Sequence, residues 1–547
     1  MNKTFIFITF ILWYLLPANT TVAYTRQDSL RGGNGNGRNW WDVKDYYLYV
    51  AFDTTAKSIS GMNIMTFTAN DNPGDSMQID MQEPMVLDSA VYNKQKLKIA
   101  QEGNVYWIIS DFKNWGIPRE YQVQLYYHGK PRQAKLPPWD GGFIWTKDSQ
   151  GHPWIAVACQ GLGASSWWPC KDYQADEPDN GMTLNLYVPY KLITISNGKF
   201  ADRQDTKDST ASLWVWRVKN PINSYNATFY IGNYAGWPDT MKGEKGVLDI
   251  GYFPLKHNEA KASKHFKVVK EMLHCFEYWM GPYPFYEDGY KLVEAPYLGM
   301  EHQSAIAYGN KYQMGYLGED RSGTGVGLLF DFIVVHESGH EWFGNNITAK
   351  DVADNWIHEG FTTYTEALFA ECAFGKEKAY AYARGEWKNI LNNRPVTGDY
   401  GVHDEGSPDK YDKGAAVVHM IRVMINDDEQ FRQLLRGLNK DFYHQTVTTK
   451  QVEQYIIDKT GLPLQKFFDQ YLRTKDIPEL EWYINKKEKK LYYRFTNTIE
   501  GFSLPLTVKG GKREADITVS GDWQSTSWKK GGYNVQFSKD FLLRTKP

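Results

Sequence analysis

Two histidines and a glutamate near the middle of the chain have the spacing of a metal site. In His336-Glu337-Ser338-Gly339-His340 the two histidines stand one helical turn apart, so both imidazoles leave the same helix face and can bind one metal ion. Eighteen residues separate His340 from Glu359, which completes a His₂Glu ligand set. Three protein ligands leave a fourth position open for water and substrate, which is typical of a catalytic zinc site.

Glu337 adds a base to this ligand set. Its side chain projects beside the two histidines, close enough to take a proton from a metal-bound water. The sequence therefore predicts one zinc ion held by His336, His340 and Glu359, with Glu337 as the general base. The alternative is a pair of helix histidines bonded to nearby carbonyl groups, and the presence of Glu359 disfavours it.

Two segments must position these side chains. Residues 328–343 are largely apolar and predict a buried helix that carries both histidines. Residues 360–374 predict a second helix that begins at the third ligand.

The composition describes an ordinary globular protein of several domains. At 547 residues the chain exceeds the size of a single core, so two to four domains are expected. A net charge of −2 gives no electrostatic reason to expect a nucleic-acid partner. The 37 tyrosines and 20 tryptophans are interpreted as β-sheet packing rather than as a carbohydrate-binding platform.

The first residues predict export. Lys3 precedes an apolar run from Phe5 to Leu16, and Thr21-Val22-Ala23 ends like a cleavage site, so residues 1–23 are predicted to be a signal peptide that is cut after Ala23. The mature chain would be periplasmic or extracellular, without a transmembrane span; an uncleaved anchor is the alternative.

The four cysteines are too few for a disulfide scaffold. Cys159 and Cys170 are close enough in sequence to pair, or they are two buried thiols.

The pattern along the chain predicts a multidomain α+β protein. A flexible Gly/Asn-rich segment (24–39) precedes an N-terminal all-β domain (40–240), whose strands include residues 46–52, 183–188 and 227–231. Helical periodicity over residues 260–280 and from 328 to about 473 predicts a mostly helical domain (241–475). A small C-terminal β-sandwich (476–547) follows, with strands at residues 491–495 and 504–508.

Further motifs resemble those of one known family, the M1 zinc aminopeptidases. In chain order they are Trp168-Pro169-Cys170 with Asp176-Glu177-Pro178, Leu298-Gly299-Met300-Glu301-His302, the zinc motif at 336–340, Trp342-Phe343-Gly344-Asn345, residues 359–366 and Tyr411-Asp412-Lys413-Gly414-Ala415. The resemblance runs from about residue 40 to the C-terminus. It implies a saddle-like N-terminal sheet and a thermolysin-like catalytic domain.

The resemblance also implies roles for individual residues. Glu301 would bind the free α-amine of a peptide, because a carboxylate gives that cation a charge-assisted hydrogen bond. Gln160, Gly299 and Met300 would line the substrate site with it. Tyr411 would donate its hydroxyl to the oxyanion, and Glu366 would orient a zinc-binding histidine. The expected partners are therefore peptides with a free N-terminus.

The sequence departs from the family at three positions and leaves other functions open. Leu298 and His302 replace the Gly and Asn that begin and end the Gly-x-Met-Glu-Asn motif, and His358 stands where Asn is frequent. These changes affect the expected substrate preference more than the chemistry. The alternatives are a thermolysin-like endopeptidase, a hydrolase of the leukotriene branch, and a zinc-binding scaffold without activity. The large helical C-terminal domain of many relatives is not expected here.

Overall fold

The computed structural model of the chain describes residues 23–115, 120–529 and 531–546. The predicted signal peptide, apart from Ala23, lies outside the described residues. Among the helices that are described, none combines the length and the apolar character needed to cross a membrane.

The N-terminal domain is built around one large sheet, as predicted. Its central strand β1 (Trp41–Asp53) is antiparallel to β2 (Ser58–Ala69) and parallel to β11 (Met182–Pro189). Tyr46 and Leu48 of β1 are buried, because alternate side chains of a strand point to the same face. The other strands are β3 (Ser76–Asp80), β4 (Met85–Tyr92), β5 (Gln95–Lys96), β6 (Lys98–Glu102), β7 (Val105–Ile109), β8 (Glu120–Gly129), β9 (Gly142–Lys147), β10 (Pro153–Ala158), β12 (Ile193–Ser196), β13 (Lys199–Asp205), β14 (Ala211–Val218) and β15 (Phe229–Gly232). The large sheet has the order β13-β14-β11-β1-β2-β8-β4-β5, beside sheets β12-β15-β10-β9 and β3-β7-β6.

The second domain combines a five-stranded sheet with helices. Its strands are β16 (Trp237–Gly243), β17 (Gly246–Phe253), β18 (Tyr290–Glu294), β19 (Gly299–Met300), β20 (Ile306–Tyr308), β21 (Ile347–Ala349) and β22 (Gln445–Val447). Its helices are α2 (Glu259–His265), α3 (Val268–Met280), α4 (Phe332–Gly339), α5 (Trp356–Phe374), α6 (Lys376–Glu386), α7 (Asp412–Ile425), α8 (Asp428–Asp441), α9 (Thr449–Thr460) and α10 (Gln465–Arg473). The sheet order is β16-β17-β18-β20-β19. The predicted boundary at 240/241 falls inside β16, which pairs with β17 and so belongs to this domain.

The C-terminal strands form two small sheets. They are β23 (Glu479–Asn485), β24 (Lys490–Thr496), β25 (Ser503–Gly510), β26 (Arg513–Ser520), β27 (Gln524–Ser527), β28 (Gln536–Phe537) and β29 (Arg544–Lys546), in the orders β27-β24-β23-β29 and β26-β25-β28. Their buried side chains, such as Leu491 and Leu506, join the same core as the helices. This confirms the predicted α+β class with β structure at both ends.

Both site-bearing helices differ from their predicted bounds. Helix α4 begins at Phe332 rather than at residue 328, because the side chain of Asp331 accepts hydrogen bonds from the amides of Ile333 and Val334 and caps it there. It ends at Gly339, so His340 lies at its C-cap rather than inside a longer helix. Helix α5 begins at Trp356, which places Glu359 in its first turn instead of before it.

One further prediction is wrong, and the structure decides between two alternatives that were left open. The segment 24–39, predicted to be flexible, contains the helix α1 (Arg26–Gly32), capped by Thr25, and Arg38 is buried in an ion pair with Asp80. Cys159 and Cys170 do not pair: both are buried free thiols, the second of the two predicted alternatives. The disulfide joins Cys275 of α3 to Cys372 of α5, which are 97 residues apart.

Candidate metal centre and substrate cavity

Three predicted ligands converge at one point. The Nε2 atoms of His336 and His340 lie 3.3 Å apart, and Glu359 Oε2 lies 3.3 Å from His340 Nε2 and 3.8 Å from His336 Nε2. All three side chains are almost fully buried. The close crossing of α4 and α5 makes this possible, since a β-carbon on Gly339 would lie only 2.4 Å from Thr365 Oγ1.

A contact at the Nδ1 atom of each imidazole ring orients the Nε2 atoms of His336 and His340 toward each other. Glu366 Oε1 lies 2.7 Å from His336 Nδ1, and the carbonyl oxygen of Phe343 lies 3.0 Å from His340 Nδ1. A proton held on each Nδ1 leaves the Nε2 lone pair free to bind a metal. Glu366 therefore lies where it can orient the His336 ring, which is the role predicted for it.

The ligand set fits a zinc ion. Glu359 Oε2 is buried and has no hydrogen-bond partner among the described residues, although a buried carboxylate oxygen is costly to leave unpaired. Tetrahedral zinc with bonds of about 2.0–2.1 Å holds its ligand atoms about 3.4 Å apart. The three observed separations are close to that value, so His336, His340 and Glu359 can hold Zn²⁺ without a change of fold.

Glu337 faces the same point as the ligands. Carboxylate oxygens of Glu337 and Glu301 and a ring nitrogen of His340 all lie within 4.8 Å of one another. Burial raises the pKa of Glu337 to about 7, and the carboxylates of Glu301 and Glu359 add to this effect. Gly299 allows strand β19 to lie close to helix α4, because a β-carbon at this position would lie 2.5 Å from Glu337 Oε1.

Glu301 is held beside the ligand set by two donors from the N-terminal domain. Gln160 Nε2 donates to Glu301 Oε1 at 2.6 Å, and the Tyr225 hydroxyl donates to the same oxygen at 3.1 Å. Burial, with a contribution from Glu359, raises the pKa of Glu301. The negative charge of the Glu301 carboxylate is therefore unfavourable, and a cation bound next to it would stabilise that charge. Met300, the neighbouring residue in β19, packs into the core of the N-terminal domain.

Tyr411 lies at the N-cap of α7 and stacks near a predicted ligand. Its ring centroid is 6.1 Å from that of His336, with an interplanar angle of 26°. Burial and the Glu359 and Glu301 carboxylates raise the pKa of Tyr411 well above its ordinary value. The hydroxyl therefore keeps its proton and can donate a hydrogen bond.

These residues surround one cavity of about 550 Å³ between the two large domains. It brings together every predicted site residue except Glu366, which lies behind His336. It is also lined by residues that carry no signal in the sequence, among them Trp139, Arg321, Leu391 and Lys410. Tyr225 carries no such signal either: it reaches Glu301 through a turn of the N-terminal domain, and only the tertiary fold brings the two together.

Two other buried histidines have structural contacts. His302 Nδ1 lies 2.8 Å from the Tyr230 hydroxyl, and His358 Nε2 accepts a hydrogen bond from the amide of Ala349 at 2.7 Å. Burial lowers the pKa of both His302 and His358 to about 3, so both rings are neutral at physiological pH. Neither ring belongs to a group of side chains that can hold a metal among the described residues.

The fold and the ligand geometry are similar to those of known zinc metallopeptidases. Residues 265–471, which carry the predicted zinc ligands, match the Peptidase family M1 domain. It is 24% identical over 327 residues to leukotriene A-4 hydrolase of Xenopus laevis, covering 56% of this chain and 49% of that protein. It is 25% identical over 323 residues to aminopeptidase B of Rattus norvegicus, covering 56% of this chain and 46% of that protein. The matched part is thus about half the length of each relative.

Solved structures share the fold. The crystal structure of an M1 zinc metallopeptidase from Deinococcus radiodurans has a TM-score of 0.66 and 20% identity, with 81% of this chain and 96% of that chain covered. A point mutant of that enzyme bound to a Tyr-Ser-Ala substrate has a TM-score of 0.65 and the same identity and coverage. A related structure is described as a two-domain M1 metallopeptidase, which agrees with the compact architecture seen here.

Proposed function

We propose that this protein is a zinc-dependent aminopeptidase that removes the N-terminal residue from peptides. The observation that carries the proposal is the position of Glu301, whose carboxylate lies within 4.8 Å of the Glu337 carboxylate and of His340. A peptide whose α-amine binds Glu301 has its first peptide bond close to Glu337, and no later bond can reach it. The amine is a cation, so it matches the buried acid. The Tyr-Ser-Ala ligand of the Deinococcus radiodurans structure is likewise a peptide substrate.

Individual residues of the chain then have separate roles in the proposed reaction. One Zn²⁺ held by His336, His340 and Glu359 would supply a Lewis acid that polarises the scissile carbonyl and lowers the pKa of water. Glu337 takes the proton of the attacking water and passes it to the leaving amine. The Tyr411 hydroxyl donates a hydrogen bond to the oxyanion, which is the former carbonyl oxygen on which negative charge develops when water attacks the carbonyl carbon.

Export is part of the proposal. The sequence of residues 1–23 predicts a cleaved signal peptide. The Cys275–Cys372 disulfide supports this proposal, because disulfides persist in oxidising compartments. We expect cell fractionation to recover the protein outside the cytoplasm, with Tyr24 as its first residue; a cytoplasmic protein that begins at Met1 would contradict export.

A panel of aminoacyl chromogenic amides with matched N-acetylated controls tests the proposed activity. The free-amine compounds should be hydrolysed and the acetylated ones should not. Chelation should stop hydrolysis, and zinc should restore it. The Glu301→Gln variant should lose activity on the free-amine compounds. Cleavage of the acetylated compounds would point instead to an endopeptidase, and a zinc-binding protein that cleaves neither set would be a scaffold.

A further inference from the structure

Two loops, one from each large domain, border the cavity and each presents an exposed apolar side chain to it. Trp139 lies between β8 and β9 and is 68% exposed, and Leu391 lies between α6 and α7 and is 61% exposed. Both side chains line the cavity that contains the predicted metal ligands. Large apolar side chains at the edge of a binding cavity are frequently covered by the ligand.

The Trp139 loop is fixed beside the amine-binding residues. The Asp140 carboxylate accepts hydrogen bonds from the amides of Lys135 and Leu136, each at 2.8 Å. Gly141 packs directly on Leu162, since a β-carbon at Gly141 would lie 2.6 Å from Leu162 Cβ. Leu162 is two residues from Gln160, which donates to Glu301. Trp139 therefore belongs to the side of the cavity where the first residue of a peptide would lie.

The Leu391 loop is fixed on another side. The amides of Leu391 and Asn392 both donate to the Asp409 carboxylate at 2.7 Å. Asp409 precedes Tyr411 by two residues, so Leu391 is tied to the side of the cavity that carries the oxyanion donor. Leu391 is thus a matched control for Trp139: it is similarly exposed and lines the same cavity, but it is anchored to a different part of the site.

The charged groups that line the cavity already have partners or predicted roles, so few of them are free to bind a charged first side chain of a peptide. Glu405 pairs with Lys410, and Asp412 pairs with Arg321 at 3.1 Å. The Asp409 carboxylate accepts hydrogen bonds from two backbone amides. The remaining acids are the predicted zinc ligand, the base and the amine-binding Glu301. An incoming side chain near Trp139 therefore finds an apolar surface without a free charge among the described lining residues.

We propose that Trp139 is a specificity-determining residue that packs against the first side chain of the substrate, and that the enzyme prefers peptides that begin with a large apolar or aromatic residue. The proposal rests on the aminopeptidase function. The indole offers a rigid apolar face that can stack on an aromatic ring or cover an aliphatic chain. A small first side chain such as that of alanine does not reach this surface and gains nothing from it.

The test compares kcat/KM for Phe, Leu, Ala and Arg chromogenic amides in the wild-type protein, Trp139→Ala and Leu391→Ala. We expect the wild type to prefer Phe and Leu. Trp139→Ala should lower kcat/KM for Phe and Leu by about 10- to 100-fold and for Ala by less than about 2-fold, the range that apolar pocket contacts give. Leu391→Ala should not show this selectivity for the first residue. An equal loss on Phe and Ala, no loss, or a wild-type preference for Arg would overturn the proposal.

A binding measurement separates this inference from the proposed activity. Calorimetry with phenylalanine amide and alanine amide on the zinc-loaded Glu337→Ala protein, which should bind these compounds without hydrolysing them, measures binding alone; the Trp139→Ala and Leu391→Ala changes are added to that protein. Tighter binding of the phenylalanine compound should be lost in Trp139→Ala and kept in Leu391→Ala. Failure of the wild type to hydrolyse any free-amine compound would refute the aminopeptidase function alone. Hydrolysis by the wild type together with unchanged selectivity in Trp139→Ala would refute only the role of Trp139.

Discussion

Gly360 of α5 and Gly414 of α7 touch backbone to backbone: a β-carbon on Gly360 would lie 2.9 Å from the Cα atom of Gly414. This crossing lies next to two predicted site residues. Glu359 precedes Gly360 directly, and Tyr411 lies three residues before Gly414. The contact between the two glycines therefore sets how closely the predicted third metal ligand and the predicted oxyanion donor approach each other.

The first prediction concerns this crossing. Gly360→Ala should force α5 and α7 apart, which lowers the free energy of unfolding by about 1–3 kcal/mol, the usual cost of overpacking. It should also lower kcat, because Glu359 and Tyr411 move relative to each other. Gly35→Ala is the matched control, since a β-carbon at Gly35 meets nothing within 4 Å. Chemical denaturation and steady-state kinetics measure both effects; a Gly360→Ala protein as stable and active as the control would contradict the account.

The second prediction separates metal binding from catalysis. Glu337→Ala should keep one bound zinc, because Glu337 is not one of the three converging ligands. Its kcat should fall by at least about 10²–10⁴-fold, the contribution of a general base. Metal analysis of the purified variant and its turnover rate test both statements together. Near-normal turnover would remove Glu337 from the mechanism.

The third prediction concerns the oxyanion. Tyr411→Phe keeps the ring that stacks near His336 and removes only the hydroxyl. We expect kcat to fall by about 10²–10³-fold with little change in zinc content, as when one oxyanion donor is lost. An unchanged kcat would show that the Tyr411 hydroxyl does not contact the reacting carbonyl.

The fourth prediction concerns stability in acid. The pKa of His302 is lowered by burial to about 3 in the folded protein, against 6.5 for the free side chain. Its neutral form is therefore favoured by folding: the contribution to stability is present above pH 6.5 and is lost as the pH falls from 6.5 towards 3. Between pH 7.5 and pH 5 this single group should reduce the free energy of unfolding by about 2 kcal/mol.

The variant His302→Asn isolates that contribution. Asparagine does not titrate, so the variant should lose about 2 kcal/mol less than the wild type between pH 7.5 and pH 5. Urea denaturation at the two pH values gives the comparison. Equal losses in the two proteins would mean that His302 is protonated without cost in the folded state.

The metal site could be predicted from sequence because its geometry is local. His336 and His340 lie one turn apart, and Glu366 lies two turns beyond Glu359 on the same helix, so helical periodicity alone brings each pair to one face. The predicted start of α4 is too early because the apolar residues Leu328 and Leu329 continue the helical pattern, although they are exposed and belong to a separate 3₁₀ turn. The Asp331 cap decides where the helix begins.

Other parts of the site depend on contacts between distant segments. Tyr225 and Gln160 reach Glu301 across the domain junction, 76 and 141 residues away in sequence. Arg321 meets Asp412 across 91 residues, and Cys275 meets Cys372 across 97. No periodicity or spacing rule connects such pairs, because only the packing of whole domains determines them.

The most direct test of the central claim is the product pattern from one unmodified hexapeptide and its N-acetylated form, followed by mass spectrometry with and without zinc. The account predicts the stepwise loss of single residues from the N-terminus of the free peptide, no cleavage of the acetylated peptide, and no reaction after chelation. Internal fragments, or cleavage of the acetylated peptide at the same rate, would contradict the account, because a peptide anchored through its amine at Glu301 has only its first bond within reach of Glu337.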